Sequence, residues 1–251
     1  MNKLFPSMFS KPEPSQIISL IPCWVWVFVL VPMFMPFVAE GLWEQWASSV
    51  WFEIVYHVIN GVVVLFLISS YLKDEWYAVS ADVGFYLKHV ALAVGLILGT
   101  ELLTLGLLYC LIGPYVWIIL EAFPVVELAV VHTPASTLMY EPVVGTIVMT
   151  VFSPICMCGL FYCLCFSPIC YRRPWLAYLS IPVITFLPAL VDMLWRWEEA
   201  GLTLGAYLAG LPVHLLACWI YQKTDNVWTP LVTLAATNLI LSIVISLLTF
   251  L

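Results

Sequence analysis

Again and again this chain runs apolar for twenty or more residues, and most of its few charges fall in the gaps between. Residues 16–39, 50–72, 87–112, 142–166, 174–196, 201–221 and 228–250 each form such a run. A bilayer core about 30 Å thick takes about 20 apolar residues per helix. Of the 251 residues, 64% are hydrophobic and only 9% are charged, against about 25% charged in soluble domains. A water-soluble domain of this length cannot hide so much apolar surface, because its outer layer must face water. Lipid is the solvent that fits. The expected fold is all-α: a polytopic membrane helical bundle of seven to eight transmembrane helices, forming one domain over residues 1–251.

Positive charge orients the bundle, since Lys and Arg of short loops favour the cytoplasmic side. With seven crossings and a cytoplasmic N-terminus, Lys3, Lys11, Lys73, Lys88, Arg172, Arg173 and Lys223 share that side. Arg196 alone falls opposite, next to Glu198 and Glu199. The apolar stretch 115–131 carries Glu121, Pro124 and Glu127 and reads as re-entrant or interfacial, a full eighth crossing being the alternative. A multi-pass protein of the cell membrane is expected, with the first helix retained and the lipid bilayer as its main partner. A net charge of −7 without clustered Lys and Arg argues against nucleic acid.

Ionisable groups at membrane depth are costly and therefore candidates for function. Glu53 and His57 stand four apart, able to share one helix face, with Asn60 one turn on. Glu101 is the deepest carboxylate of its run and has no partner close in sequence. His214 reads as a histidine bonded to backbone, Asn238 as helix-to-helix glue, and Asp192 with Arg196 as a pair one turn apart. HExxH, GxSxG and Walker motifs are missing. Four scattered histidines do not assemble the three or four ligands a metal site needs. Neither a metal nor a cofactor is expected.

The stretch Ser153–Cys165, SPICMCGLFYCLC, holds four of the eight cysteines. Its spacings lack the C-x2-C pair typical of zinc sites, and no histidine is near. Thiols inside a span act as small hydrophobes, so these read first as packing residues.

The C-terminal half carries a resemblance. Ile220-Tyr221-Gln222-Lys223-Thr224 followed by Val227-Trp228-Thr229-Pro230, with Ser153-Pro154-Ile155, Phe161, Pro174-Trp175-Leu176-Ala177 and Phe186 upstream, is similar to the framework of the CPBP intramembrane metalloproteases (CAAX-processing and bacteriocin-processing enzymes, or Abi proteins). The resemblance covers about residues 140–240. It implies a membrane peptidase core in which two glutamates, an arginine, two histidines and an asparagine build the site around a metal. In that frame the glutamate pair falls on Met157 and Cys158, the arginine on Tyr162, and the histidines on Leu190 and Leu234. Asn238 alone is kept. A thioether, a thiol and two leucines cannot hold a divalent ion in that geometry. A second register, matching the motif to residues 100–108 and keeping Glu101, places nothing suitable downstream.

Three functions of different kinds follow. The resemblance implies a non-catalytic homologue, a pseudoenzyme of a bacterial membrane, acting as a scaffold or holding a lipid chain or a membrane peptide. The first alternative is an unorthodox intramembrane endopeptidase, with zinc, built from Glu101, Glu53, His57 and Asn238. The second is a small transporter that uses Glu101 as its coupling carboxylate.

Overall fold

The computed structural model describes residues 14–30, 50–112, 142–170, 173–195 and 200–249. Among them every regular element is helical and no strand occurs. Helix α1 spans Pro14–Val25 and continues as a π-helical turn over Trp26–Leu30. Helices α2 (Val50–Ala81) and α3 (Val83–Ile112) follow, and α4 is the run 142–170. Helices α5 (Pro174–Trp195), α6 (Ala200–Thr224) and α7 (Trp228–Thr249) complete the described set.

Among the described residues, three stretches are long and apolar enough to cross a membrane: His57–Ala81, Val83–Leu103 and Val143–Leu160. Their outward faces are those of a lipid-solvated protein. On α2 the residues Val55, Ile59, Val62, Val63 and Phe66 are exposed, whereas Glu75, Asn60 and His57 are buried. On α7 the exposed residues include Ile240, Ile243 and Val244, while Thr233, Thr237 and Ser242 are fully buried. An apolar exterior around polar interior groups inverts the arrangement that water imposes. The all-helical, membrane-type architecture agrees with the sequence expectation.

Helix α4 changes its winding for a local reason. Proline lacks an N–H, and its ring crowds the carbonyl four residues earlier, so the turn before it must widen or break. Pro154 follows a π turn over Val148–Phe152, and Pro168 follows a longer one over Cys158–Phe166. Glycines then let α4 approach α2 closely. A Cβ on Gly61 would stand 2.7 Å from the Phe152 ring, and one on Gly159 would overlap Val64. Small residues at such crossings let helix backbones close up where lipid supplies no hydrophobic drive.

Two boundaries differ from those read in the sequence. Helix α2 does not stop near residue 72 but runs to Ala81, because Val64, Ile68, Tyr71, Leu72 and Glu75 form one continuous buried stripe. Helix α3 starts at Val83, where the Asp82 carboxylate accepts the Phe85 N–H at 3.1 Å as an N-terminal cap. From there α3 runs back alongside α6 and α7. The stretch 115–131 and the arginines Arg172 and Arg196 lie outside the described residues.

Candidate functional site

The densest polar cluster lies where the α6–α7 turn docks against the end of α2. Asp225 adopts a left-handed backbone, φ 49°, a conformation that Asp tolerates better than most residues. This reverses the chain and drives Asn226 inward to full burial. There the Asn226 amide donates to the Glu75 carbonyl at 3.0 Å, while its oxygen accepts the Trp228 N–H at 2.9 Å. Trp228 in turn donates its indole N–H to the Leu72 carbonyl at 2.7 Å and meets the Trp76 ring edge-on at 5.1 Å. Leu72 and Glu75 are three apart on α2, so one turn of that helix takes both bonds.

Around this dock lie further pairings. The Tyr221 hydroxyl donates to Ser167 at 2.9 Å and stands 3.2 Å from the Tyr71 hydroxyl. Tyr178 donates to Gln222 at 2.7 Å, joining α5 to α6. The Thr224 hydroxyl donates to the Ile220 carbonyl. Tyr221, Gln222 and Trp228 thus serve as joints between helices, while Thr224 bonds back within α6. At the aqueous edge of the cluster, burial and then the nearby Asp225 push the Cys170 thiol up to about 11.

Glu75 sits at the centre, 1% exposed. Its carboxylate accepts the Val227 N–H, Oε2 finds no protein partner, and Asp225 and Asp74 are close enough to act on it electrostatically. Tyr86 on α3 faces both Asn226 and Glu75. Sequence reasoning missed Glu75 because Lys73-Asp74-Glu75 looks like a charged loop after an apolar run. The missed signal was spacing: Glu75 continues the buried stripe at three and four residues beyond Leu72 and Tyr71.

The residues singled out in the sequence are dispersed. Met157, Cys158, Tyr162 and Leu234 lie together in the main hydrophobic core, and Asn238 is buried as well. Leu190 stands apart, 37% exposed on α5. His57 and His214 are buried, Glu101 is half-buried, and the Glu53 side chain lies outside the described residues, as does that of Asp192. Among the described residues, no three His, Cys, Asp or Glu side chains converge as a metal site would require. Cys156, Cys158, Cys163 and Cys218 are buried thiols outside any disulfide.

Such an arrangement binds helices to one another through buried hydrogen bonds and leaves one carboxylate oxygen inside the bundle without a protein partner. Comparison with protein-family models, curated proteins and solved structures gave no match.

Proposed function

We propose that this protein is a non-catalytic, multi-pass scaffold of the cell membrane, built on the helical frame that CPBP-type peptidases use. It crosses the bilayer seven to eight times with its N-terminus in the cytoplasm, and it works by holding a membrane peptide or a lipid chain against its exposed apolar faces. The observation behind this is the packing of α4. Every residue from Ser153 to Leu160 is buried, and Met157, Cys158 and Tyr162 fill the core beside Leu234. Of the positions where the resemblance calls for ion ligands, Met157, Cys158 and Leu234 serve as core, while Leu190 lies exposed on α5. A buried thiol without a neighbouring base is a poor nucleophile, so Cys158 supplies no substitute chemistry.

The test is to purify the full chain in detergent and measure bound metal alongside cleavage of membrane peptides. The expected result is neither stoichiometric zinc nor chelator-sensitive cleavage. Native mass spectrometry of the same sample should show a retained lipid or peptide.

A further inference from the structure

Among the described residues every Lys and Arg lies at one end of the bundle, the end that holds the Asn226 dock. Lys73 directly follows Leu72, whose carbonyl takes the Trp228 indole N–H. Lys88 comes two residues after Tyr86, which faces Asn226, and Lys223 comes three residues before Asn226. Arg173 precedes Tyr178, the partner of Gln222, by five residues. All four residues are exposed, and none forms an ion pair among the described residues. They come from four separate stretches of the chain, so no single segment of the sequence is basic. The fold gathers the charge.

Each cation has an aromatic ring close by in the chain. Residues three and four apart share a helix face, which sets Lys73 with Trp76 and Tyr77, and Lys88 with Phe85; all three rings are exposed. The Lys223 ammonium lies over the Trp219 ring, 6.0 Å from its centre. Arg173 is followed two residues later by exposed Trp175. Bare rings are costly in water and cations are costly in hydrocarbon, but a bilayer interface suits both. There Trp and Tyr keep the ring in apolar surroundings and the N–H or O–H in water. Lys and Arg lay their stems along apolar surface and reach outward with the charge. Three acidic residues share this end: Asp82 caps α3, while Asp74 and half-buried Asp225 lie close enough to Glu75 to act on it. Exposed cations therefore outnumber exposed carboxylates there, four to two.

We propose that this end of the bundle is a binding surface for the headgroups of anionic phospholipids. The phosphate oxygens accept charge-assisted hydrogen bonds from Lys73, Lys88, Arg173 and Lys223, and the neighbouring rings lie against the upper acyl chains. An anionic leaflet attracts each Lys or Arg at its surface, within the reach that salt allows. Lipid without net charge satisfies the rings but not the cations, so charge sets the preference. The occupant is a lipid and not an acidic protein segment, because the cations are interleaved with bare rings that acyl chains cover. The surface is separate from the apolar faces of the scaffold function. It serves in either orientation of the bundle, with or without a bound metal.

The full chain in detergent is mixed with equal amounts of phosphatidylglycerol and phosphatidylcholine of matched acyl chains, and retained lipid is counted by native mass spectrometry. Native protein should retain phosphatidylglycerol over phosphatidylcholine at least about fivefold, the ratio that one cation gives at an anionic surface. That preference should shrink as salt is raised from about 0.1 M to about 1 M. The variant Lys73→Gln/Lys88→Gln/Arg173→Gln/Lys223→Gln should hold as much lipid in total, with the two lipids retained about equally. Lys73→Arg/Lys88→Arg/Lys223→Arg keeps the charge and should keep the preference. If the fourfold variant fails to fold, Lys73→Gln/Lys223→Gln replaces it, with the preference reduced at least about twofold. Equal retention of the two lipids by native protein overturns the proposal, as does an unchanged preference in a folded Gln variant. So does binding of polyglutamate that phosphatidylglycerol fails to displace, which would assign the surface to an acidic protein partner.

Discussion

Trp228 donates its indole N–H to the backbone carbonyl of Leu72, 156 residues earlier in the chain, at 2.7 Å. The bond ties the first residue of α7 to the inner stripe of α2, and Asn226 ties the preceding turn to the same helix one turn further on. These two contacts set the height at which α7 stands in the bundle, and with it the position of every buried polar group along that helix.

Trp228→Phe should keep the ring contact with Trp76 and lose only the long-range bond. A lost hydrogen bond of this kind costs about 1 kcal/mol. Thermal unfolding in detergent, followed by tryptophan fluorescence, should show a lower midpoint with the helical content unchanged.

Asn226→Leu should cost more. It removes two bonds and leaves the buried Trp228 N–H without a partner, for a combined loss of about 2–3 kcal/mol. Its neighbour offers a contrast: Asp225→Gly suits the left-handed backbone and should leave stability unchanged or better, whereas β-branched Asp225→Val should lower it by about 1–2 kcal/mol. Denaturation midpoints of the three variants, ranked against the native chain, check both statements.

Gly159→Val tests the close crossing of α2 and α4. Its side chain would overlap Val64 and approach Ile68, and overpacking of this sort costs about 1–3 kcal/mol. A combined Gly159→Val/Val64→Ala variant should recover much of the loss if the clash is the cause. Midpoints for the single and double variants decide it.

Cys170 should alkylate slowly near neutral pH. The thiolate is the reactive form, and burial together with Asp225 holds this thiol up to about 11. Its rate with a maleimide reagent should rise about tenfold per pH unit through pH 8 to 10, as the thiolate fraction does. Peptide mapping by mass spectrometry distinguishes it from exposed Cys110.

The membrane class was legible in the sequence because apolar runs and missing charge are properties of composition, and helix is the natural way to satisfy every backbone group in lipid. The inner joints were harder to read. Helix ends are marked by charge only where charge meets water, so Lys73-Asp74-Glu75 suggested a loop, although Glu75 lies on the buried side of a longer helix. The break between the apolar runs 201–221 and 228–250 marks a turn around Asp225 and Asn226 without showing which helix it grips. That information depends on a contact across 151 residues, which local patterning cannot carry. The threonines of α7 looked like ordinary span residues, and only the burial of their hydroxyls without partners sets them apart.

At the centre of the proposed function is an α4 core in which Met157, Cys158 and Tyr162 occupy the positions that the resemblance gives to two glutamates and an arginine. Its most direct test is the zinc content of the full chain purified without chelators, measured by elemental mass spectrometry and paired with a peptide-cleavage assay. The account predicts zinc far below one ion per chain and no cleavage that a chelator abolishes. One tightly held zinc per chain, whose removal stops cleavage, would contradict it.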